Sequence, residues 1–329
     1  MTETDERLPS SGFFIAVVFL ECCGLIFGIF GNTGVIMYNV FMKHAQNPTT
    51  YFIANLAIAD MLLCCTCFPG WMAMHVQFII ATVGYQNFKR ICQICLTSSY
   101  AGVALSLANL LAITVDRFLF ITRPLKYPLI MTWPKTYLIL VLIWLSAIIN
   151  VIILAFYTQD IEDMDNLYCA TDLSSTPMLM FTVLNFYLPI TVLVFVNYKI
   201  FKIARRQRRR ITVTSMVSSS TDAPSISTGR SQFPYSAVAR RGRMQQLKVI
   251  KTFAIVLGIF LLSCIPFVLI RIADNFICDY YCVSFSLYTL SGILLGTNSV
   301  FNPFIYGIRH KEYRNAYRQF FFKLCSNMY

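Results

Sequence analysis

Long uncharged stretches rich in Leu, Ile, Val and Phe recur along the chain, at 22–42, 61–88, 91–115, 136–159, 173–198, 252–270 and 280–308. Each is close to or above the roughly 20 residues that a helix needs to cross the apolar layer of a bilayer. Runs such as Tyr137 to Ala155 lack the alternation over about ten residues that a barrel strand would show. Lipid also leaves a spanning backbone no partner outside its own segment. The pattern therefore predicts an all-α membrane protein, a seven-transmembrane helix bundle with spans at about 13–42, 49–75, 88–121, 133–157, 177–204, 244–273 and 280–308.

Composition agrees. Of 329 residues, 57% are hydrophobic and 13% charged, where soluble domains average about 45–50% and about 25%. A soluble enzyme is excluded. The formal charge of +12 would suit a nucleic-acid binder if it tiled one face, but the charges cluster between spans, so no nucleic acid is expected. Cytoplasmic connections hold the basic excess. With residues 1–12 outside, 23 Lys and Arg fall inside and only Arg7, Lys89, Arg90 and Arg271 outside. The amino terminus is thus expected to be extracellular and the carboxyl end cytoplasmic, in the plasma membrane. Glu3, Asp5, Glu6, Asp160, Glu162, Asp163, Asp165, Asp172, Asp274 and Asp279 all lie on the outer side, either from charge sorting at insertion or as a vestibule attracting cations. Residues 1–12 lack the basic start of a cleavable signal, and no Asn-x-Ser/Thr sequon lies in an outer segment.

The connection 205–243 differs. Basic clusters (Arg205 to Arg210, Arg240 to Arg243) flank a stretch rich in Ser and Thr, which predicts a disordered inner loop. Its ends would lie on anionic lipid headgroups, and its hydroxyls are candidate phosphorylation sites.

Ionisable residues inside spans are costly and mark function by default. The deepest is Asp60. Asn32, Ser106, Asn109, Asn298, Ser299 and Asn302 fall near its depth if the helices bundle. These oxygens suit a hard cation such as sodium, with a structural hydrogen-bond network around a protonated Asp60 as the alternative.

Gly31-Asn32, Leu56-Ala57-Ile58-Ala59-Asp60, Asp116-Arg117-Phe118, Trp144, Pro189, Pro266 and Asn302-Pro303-Phe304-Ile305-Tyr306 fall one set per span. Together they resemble the landmarks of the rhodopsin-like (class A) G-protein-coupled receptors, over nearly the whole chain. A lone Asp-Arg-Phe is a weak signal; the ordered series is specific. The resemblance implies a receptor and not an enzyme, with a heterotrimeric G protein as partner and arrestin and receptor kinases acting on it afterwards. It implies that Arg117, with Asp116 as counter-ion, turns toward the G protein. Bends at Pro189, Pro266 and Pro303 would let the inner half of span six swing outward while Tyr306 moves into the gap. Arg117, Arg123, Lys126, Lys199, Lys202 and Lys248 would present the docking charges. No cofactor is implied beyond an allosteric sodium ion, and no metal beyond that ion at Asp60.

In the same family a disulfide joins the positions of Cys92 and Cys169, on a side where disulfides persist. Cys278 and Cys282 either form a second bridge or stay free. Cys22, Cys23, Cys64, Cys65, Cys67, Cys95 and Cys264 read as small core residues. After span seven, residues 309–329 predict a short amphipathic helix with Tyr313, Tyr317, Phe320 and Phe321 on one stripe, then a tail. Cys325 is a candidate for palmitoylation, with a free thiol as the alternative.

Several positions depart from the family pattern. Cys264 replaces the span-six Trp, leaving Phe260 to carry more of the toggle role. Gln246 replaces the acid that often faces the span-three Arg. Asn197 occupies the usual span-five Tyr position, with Tyr198 one residue later. Ser99 stands where amine receptors carry Asp, and span seven has no Lys for a retinal Schiff base. The pocket mouth is left with Ser99, Tyr100, Tyr187, Arg271, Asp274, Tyr280, Tyr281 and Tyr288. This Tyr enrichment suits a peptide, a cationic one under the acidic loop, and equally an ordinary membrane interface. Two other functions stand beside ligand-driven signalling: a constitutively active, ligand-independent receptor or modulatory partner, and an ion or solute carrier using Asp60.

Overall fold

The computed structural model describes residues 9–42, 47–80, 85–157, 176–219, 234–273 and 283–326, and the uncharged stretches within them are helical. Helix α1 (Ser11–Ile36) continues into a π-helical turn, Met37–Met42, and α2 (Pro48–Ile80) returns along it. Helix α3 (Tyr85–Thr122) is followed by the single turn α4 (Tyr127–Ile130) and by α5 (Trp133–Tyr157). Helix α6 (Thr176–Thr182) joins α7 (Leu188–Ser219) through five π-helical residues, Val183–Tyr187. Pro189 has no N–H for the Asn185 carbonyl, and the widened turn falls on those residues. Helices α8 (Pro234–Ile272), α9 (Phe285–Arg309) and α10 (Lys311–Ser326) complete the chain.

Six described helices are long and apolar enough to cross a membrane by length and composition. The seventh crossing is α9, which buries Thr289, Ser291, Asn298, Ser299 and Asn302 and is correspondingly less apolar. The seven-helix bundle closes because α1 packs on α2 and α9, α2 on α3, α8 on α9, and α3 on α5 and α7. Phe52, Leu107, Ile113 and Phe260 are fully enclosed between them. Phe19, Leu145, Phe195 and Leu262 point outward, the arrangement a bilayer requires when solvent and core are both apolar.

Several bounds differ from expectation. Helices α7 and α8 run to Ser219 and from Pro234, past the limits at 204 and 244, because Arg, Lys and Gln are good helix formers once a turn exists. Of the expected loop only 220–233 is left, and it lies outside the described residues. Helix α9 begins at Phe285, where the Ser284 hydroxyl accepts from the Leu287 amide at 3.4 Å.

The amphipathic α10 is docked on the bundle by three tyrosines. Tyr38 donates to Glu312 at 2.7 Å, Tyr313 to the Asn39 side-chain oxygen at 2.8 Å, and Tyr317 to the Pro303 carbonyl at 3.2 Å. Burial pushes the Tyr313 and Tyr317 hydroxyls above the ordinary tyrosine range, so both remain donors. The Phe320 and Phe321 side chains of the expected stripe lie outside the described residues.

Helix α1 approaches α9 closely only because Gly31 has no side chain. A Cβ there would lie 2.8 and 2.9 Å from the Pro303 ring carbons, and a pyrrolidine ring cannot swing away. Gly31→Val is expected to cost about 1–3 kcal/mol, read as a thermal midpoint several degrees lower for the purified protein. Gly258→Ala, with nothing within 4 Å of the added carbon, serves as the neutral control. Equal midpoints would show that α1 and α9 do not meet at Gly31.

Candidate functional site

Pro303 organises the middle of the bundle. Its missing N–H leaves the Ser299 carbonyl, four residues earlier, without its helical partner, and a dry interior offers no water to replace it. Asn32 of α1 fills the gap: its amide donates to the Ser299 carbonyl at 3.0 Å and to the Gly28 carbonyl at 2.9 Å. Asn302 is thereby presented to α2, where it donates to Asp60 at 2.6 Å. Ser106 of α3 and Ser299 of α9 donate to the other carboxylate oxygen at 2.9 and 3.0 Å. Asp60 is fully buried, so three helices are tied to one carboxylate.

The expected polar cluster is therefore assembled, with two adjustments. Asn32 reaches it only through the Ser299 backbone. Asn109 belongs to a neighbouring group, accepting from Asn55 at 2.6 Å while Asn55 accepts from Trp144 at 2.9 Å. Asn298 is buried on α9 and is not among the donors to Asp60. The set is compatible with a small hard cation: a carboxylate and two hydroxyls with spare lone pairs converge, and no cationic side chain is among them.

At the far end of α3, Asp116 is also fully buried and is held by three residues. Thr49 and Tyr127 donate to it at 2.6 Å each, and Arg117 approaches at 3.0 Å through one terminal nitrogen and 3.2 Å through Nε. The Arg117 guanidinium lies 5.5 Å from the centre of the Phe120 ring, a favourable cation–π placement. Burial, then the bond to Asp116, push the Tyr127 hydroxyl above its usual range, so it stays a donor. Phe118 packs near Ile200 of α7. Tyr306 is buried against Tyr313, with ring centres 5.6 Å apart and its hydroxyl unmatched.

Toward the other end, a cavity of about 190 Å³ lies between α2, α3, α7, α8 and α9. Ser99, Tyr100, Tyr187 and Arg271 line it as expected, and Cys264 stands in its wall. Ser99 offers little to a ligand, because Trp71 donates to its hydroxyl at 3.0 Å and Cys67 lies 3.2 Å from it. Tyr288 does not line this cavity; it borders a smaller one with Glu21 and His75. Phe260 is enclosed in the core below and Pro266 is within α8 behind the wall. Neither Asn197, bonded to the Leu193 carbonyl of its own helix at 2.9 Å, nor Tyr198, which is exposed, turns toward Tyr306.

Cys92 is buried and disulfide-bonded; its expected partner Cys169 lies outside the described residues, as do Asp274, Tyr280, Tyr281, Cys278 and Cys282 and the side chains of Gln246, Lys248 and Cys325. Of the remaining cysteines, Cys64, Cys67, Cys95 and Cys264 are core residues, Cys22 and Cys23 are half-buried, and Cys65 faces outward. An unforeseen pair is Glu21 with His75, 3.0 Å apart and both almost wholly buried between α1 and α2. The signal for it was an acid inside the first span, which the rule applied to Asp60 also covers.

A cavity toward one end of the helix bundle and a held ion pair at the other, with a polar core between, are parts that suit a transmembrane receptor. Residues 31–306 match the family described as 7 transmembrane receptor (rhodopsin family), and the chain belongs to that family. It is similar to alpha-1A adrenergic receptors: 25% identical over 311 residues to that of Bos taurus, covering 89% of this chain and 65% of the relative. The Homo sapiens receptor is 26% identical over 310 residues, with the same coverage, and that of Oryzias latipes 26% over 319 residues, 92% of this chain and 66% of the relative. The chain thus spans about 65% of the length of the relatives it matches.

The Asn32 bond has a measurable value. Asn32→Leu would leave the Ser299 carbonyl unmatched in a dry interior, at a cost of about 1–3 kcal/mol. The thermal midpoint should fall by several degrees, whereas Thr66→Val, whose exposed hydroxyl bonds only to carbonyls of its own helix, should fall less. A reversed order would remove the role given to Asn32.

Proposed function

We propose that the protein is a G-protein-coupled receptor of the plasma membrane, with its amino terminus outside, that transmits ligand binding in the cavity near Cys92 to a heterotrimeric G protein at the Arg117 end. The observation that carries this reading is the held arginine. Arg117 is bound by Asp116, and Asp116 is itself saturated by Thr49 and Tyr127, so release of the guanidinium requires these groups to move together. Arg123, Lys126, Lys199 and Lys202 are exposed around it, a basic face suited to an acidic partner surface. The 23-to-4 division of basic residues supports the orientation.

Ligand binding then works by selection between two shapes, and shifts their balance only by its differential affinity for them. The relatives are named adrenergic receptors, but Ser99 gives an amine no carboxylate. The described cavity lining contains no acid at all, so a cationic peptide would have to rely on the acidic segments at 158–175 and 274–282, outside the described residues.

Tyr127→Phe removes one donor from Asp116 while leaving the ring. With about 1 kcal/mol lost from the holding state, ligand-free nucleotide exchange on a responsive Gα should rise roughly three- to tenfold, and Arg117→Ala should abolish it. The purified chain in lipid nanodiscs, assayed against a panel of Gα subunits, supplies the measurement. Failure to stimulate exchange on any of them, with or without ligand, would sink the reading.

The Asp60 cluster would hold sodium through Asp60, Ser106, Ser299 and Asn302. A cation bound there favours the shape in which these groups converge. Sodium should therefore lower ligand-free exchange, and Asp60→Asn should remove that dependence while leaving potassium without effect in both proteins. An equal sodium response in the variant would exclude the site.

A further inference from the structure

We propose that the cavity near Cys92 takes a small amphiphilic carboxylate, with its anionic head at Tyr100 and Arg271 and its apolar body directed toward Cys264. The proposal deepens the receptor reading and rests on it for the signalling consequence, whereas binding itself can be tested separately.

The lining decides the chemistry. Among the described lining residues Arg271 is the one side chain ionised at neutral pH, and it is 5% exposed. A cation entering this cavity would meet that guanidinium, and the described lining adds no acid beside it. A purely apolar guest would leave another group unmet. Tyr100 is 8% exposed, and its hydroxyl has no hydrogen-bond partner, the usual mark of a donor awaiting an acceptor. The two groups are neighbours on the fold: the Tyr100 ring packs against Phe267 at 6.3 Å, and Arg271 follows Phe267 one helical turn further along α8. Arg271 takes part in an interaction of its own, so a carboxylate head shares or displaces that partner. Charge-assisted bonds from a guanidinium and a phenol are the strong kind for such a head group.

Beyond this polar end the walls are Leu63, Val103, Ile190, Leu261 and Leu295. Two small residues keep the space open. Cys264 is one, and Gly292 is the other, where an added carbon would meet nothing within 4 Å. The volume of about 190 Å³ exceeds the roughly 150 Å³ of an apolar cavity that admits benzene and falls below the range of about 300–1,000 Å³ of drug-sized sites. A medium-length alkyl chain or a single aromatic ring with a carboxylate is the guest that fits. Acids in the outer segments oppose the approach of an anion from water, but over distances that salt screens; the head-group contacts act at bonding range.

The test uses the full chain in nanodiscs with three probes of one length: decanoate, decan-1-ol and decylamine. Binding is read from the thermal midpoint as a function of probe concentration, and signalling from nucleotide exchange on Gα. Decanoate should bind at least tenfold tighter than decanol, with decylamine weakest. Arg271→Gln should bring decanoate down to the level of decanol, a loss of about 10- to 100-fold. Gly292→Leu, which grows into the open space, should weaken decanoate and decanol alike. Should Arg271→Gln not fold, Tyr100→Phe replaces it, with a severalfold loss larger for decanoate than for decanol. Equal binding of acid and alcohol, tighter binding of the amine, or decanoate affinity untouched by either head-group variant would overturn the proposal, as would indifference to Gly292→Leu. If decanoate binds as described but exchange never changes on any Gα, the carboxylate site stands and the receptor reading fails. If Arg117-dependent basal exchange is present and decanoate does not bind, the reverse holds.

Discussion

An imino acid in the last crossing sets the geometry on which the rest of the bundle depends. Pro303 cannot donate to the Ser299 carbonyl, and in an apolar interior an unmatched carbonyl costs about as much as a lost hydrogen bond. The amide of Asn32 repairs this from α1 at 3.0 Å, which it can do only if the helices are close. They are close because Gly31 leaves room for the Pro303 ring. The carbonyl of Pro303 is used in turn by Tyr317 of α10. One backbone defect thus dictates a glycine and an asparagine on α1 and a tyrosine on α10, and it leaves Asn302 aimed at Asp60.

The two buried aspartates make different use of the same chemistry. Both accept from two hydroxyls at 2.6 to 3.0 Å, and the third donor is the Asn302 amide at Asp60 and the Arg117 guanidinium at Asp116. Asp60 draws its donors from α3 and α9, so any sliding of these helices against α2 breaks several bonds together. Asp116 draws from α2, α4 and its neighbour Arg117, all at one end of the bundle. The first arrangement fixes the relation of helices to one another. On the proposed function, the second stores a charge that can be released without dismantling the core. A bistable bundle needs both, since a rearrangement that cost nothing at Asp60 would not give two discrete shapes.

The seven crossings were legible because their length and lack of charge leave few alternatives, and the landmark motifs indicated which residues meet near Asp60 and at Arg117. What stayed hidden has a common cause. A helix in lipid is apolar all round, so the face that turns inward leaves no periodic trace; Cys65 therefore reads as an interior residue although it faces outward. Partners separated by many residues are equally silent. Thr49 and Tyr127 on Asp116 and Asn109 on Asn55 are ordinary polar residues until the fold brings them together. Glu21 and His75 were open to detection as ionisable groups in a span. The reach of α7 and α8 was underestimated because composition that cannot build a core can still continue a helix already started.

Transmission and recognition are written in different residues, which is why family membership speaks to one far more than to the other. The groups that join the helices are prolines, asparagines, aspartates and the glycine beside Pro303, each needed for a specific bond or clearance. The groups around the cavity are mostly aliphatic, and aliphatic side chains exchange for one another at little cost. Similarity of about 25% to the adrenergic receptors therefore carries the bundle without carrying its guest. In this chain Ser99 already serves Trp71 and Cys67, so its hydroxyl is occupied by the wall itself. On the carboxylate reading proposed above, selection among guests falls to the Tyr100 hydroxyl and the Arg271 guanidinium, and donors of hydrogen bonds favour a guest that accepts them.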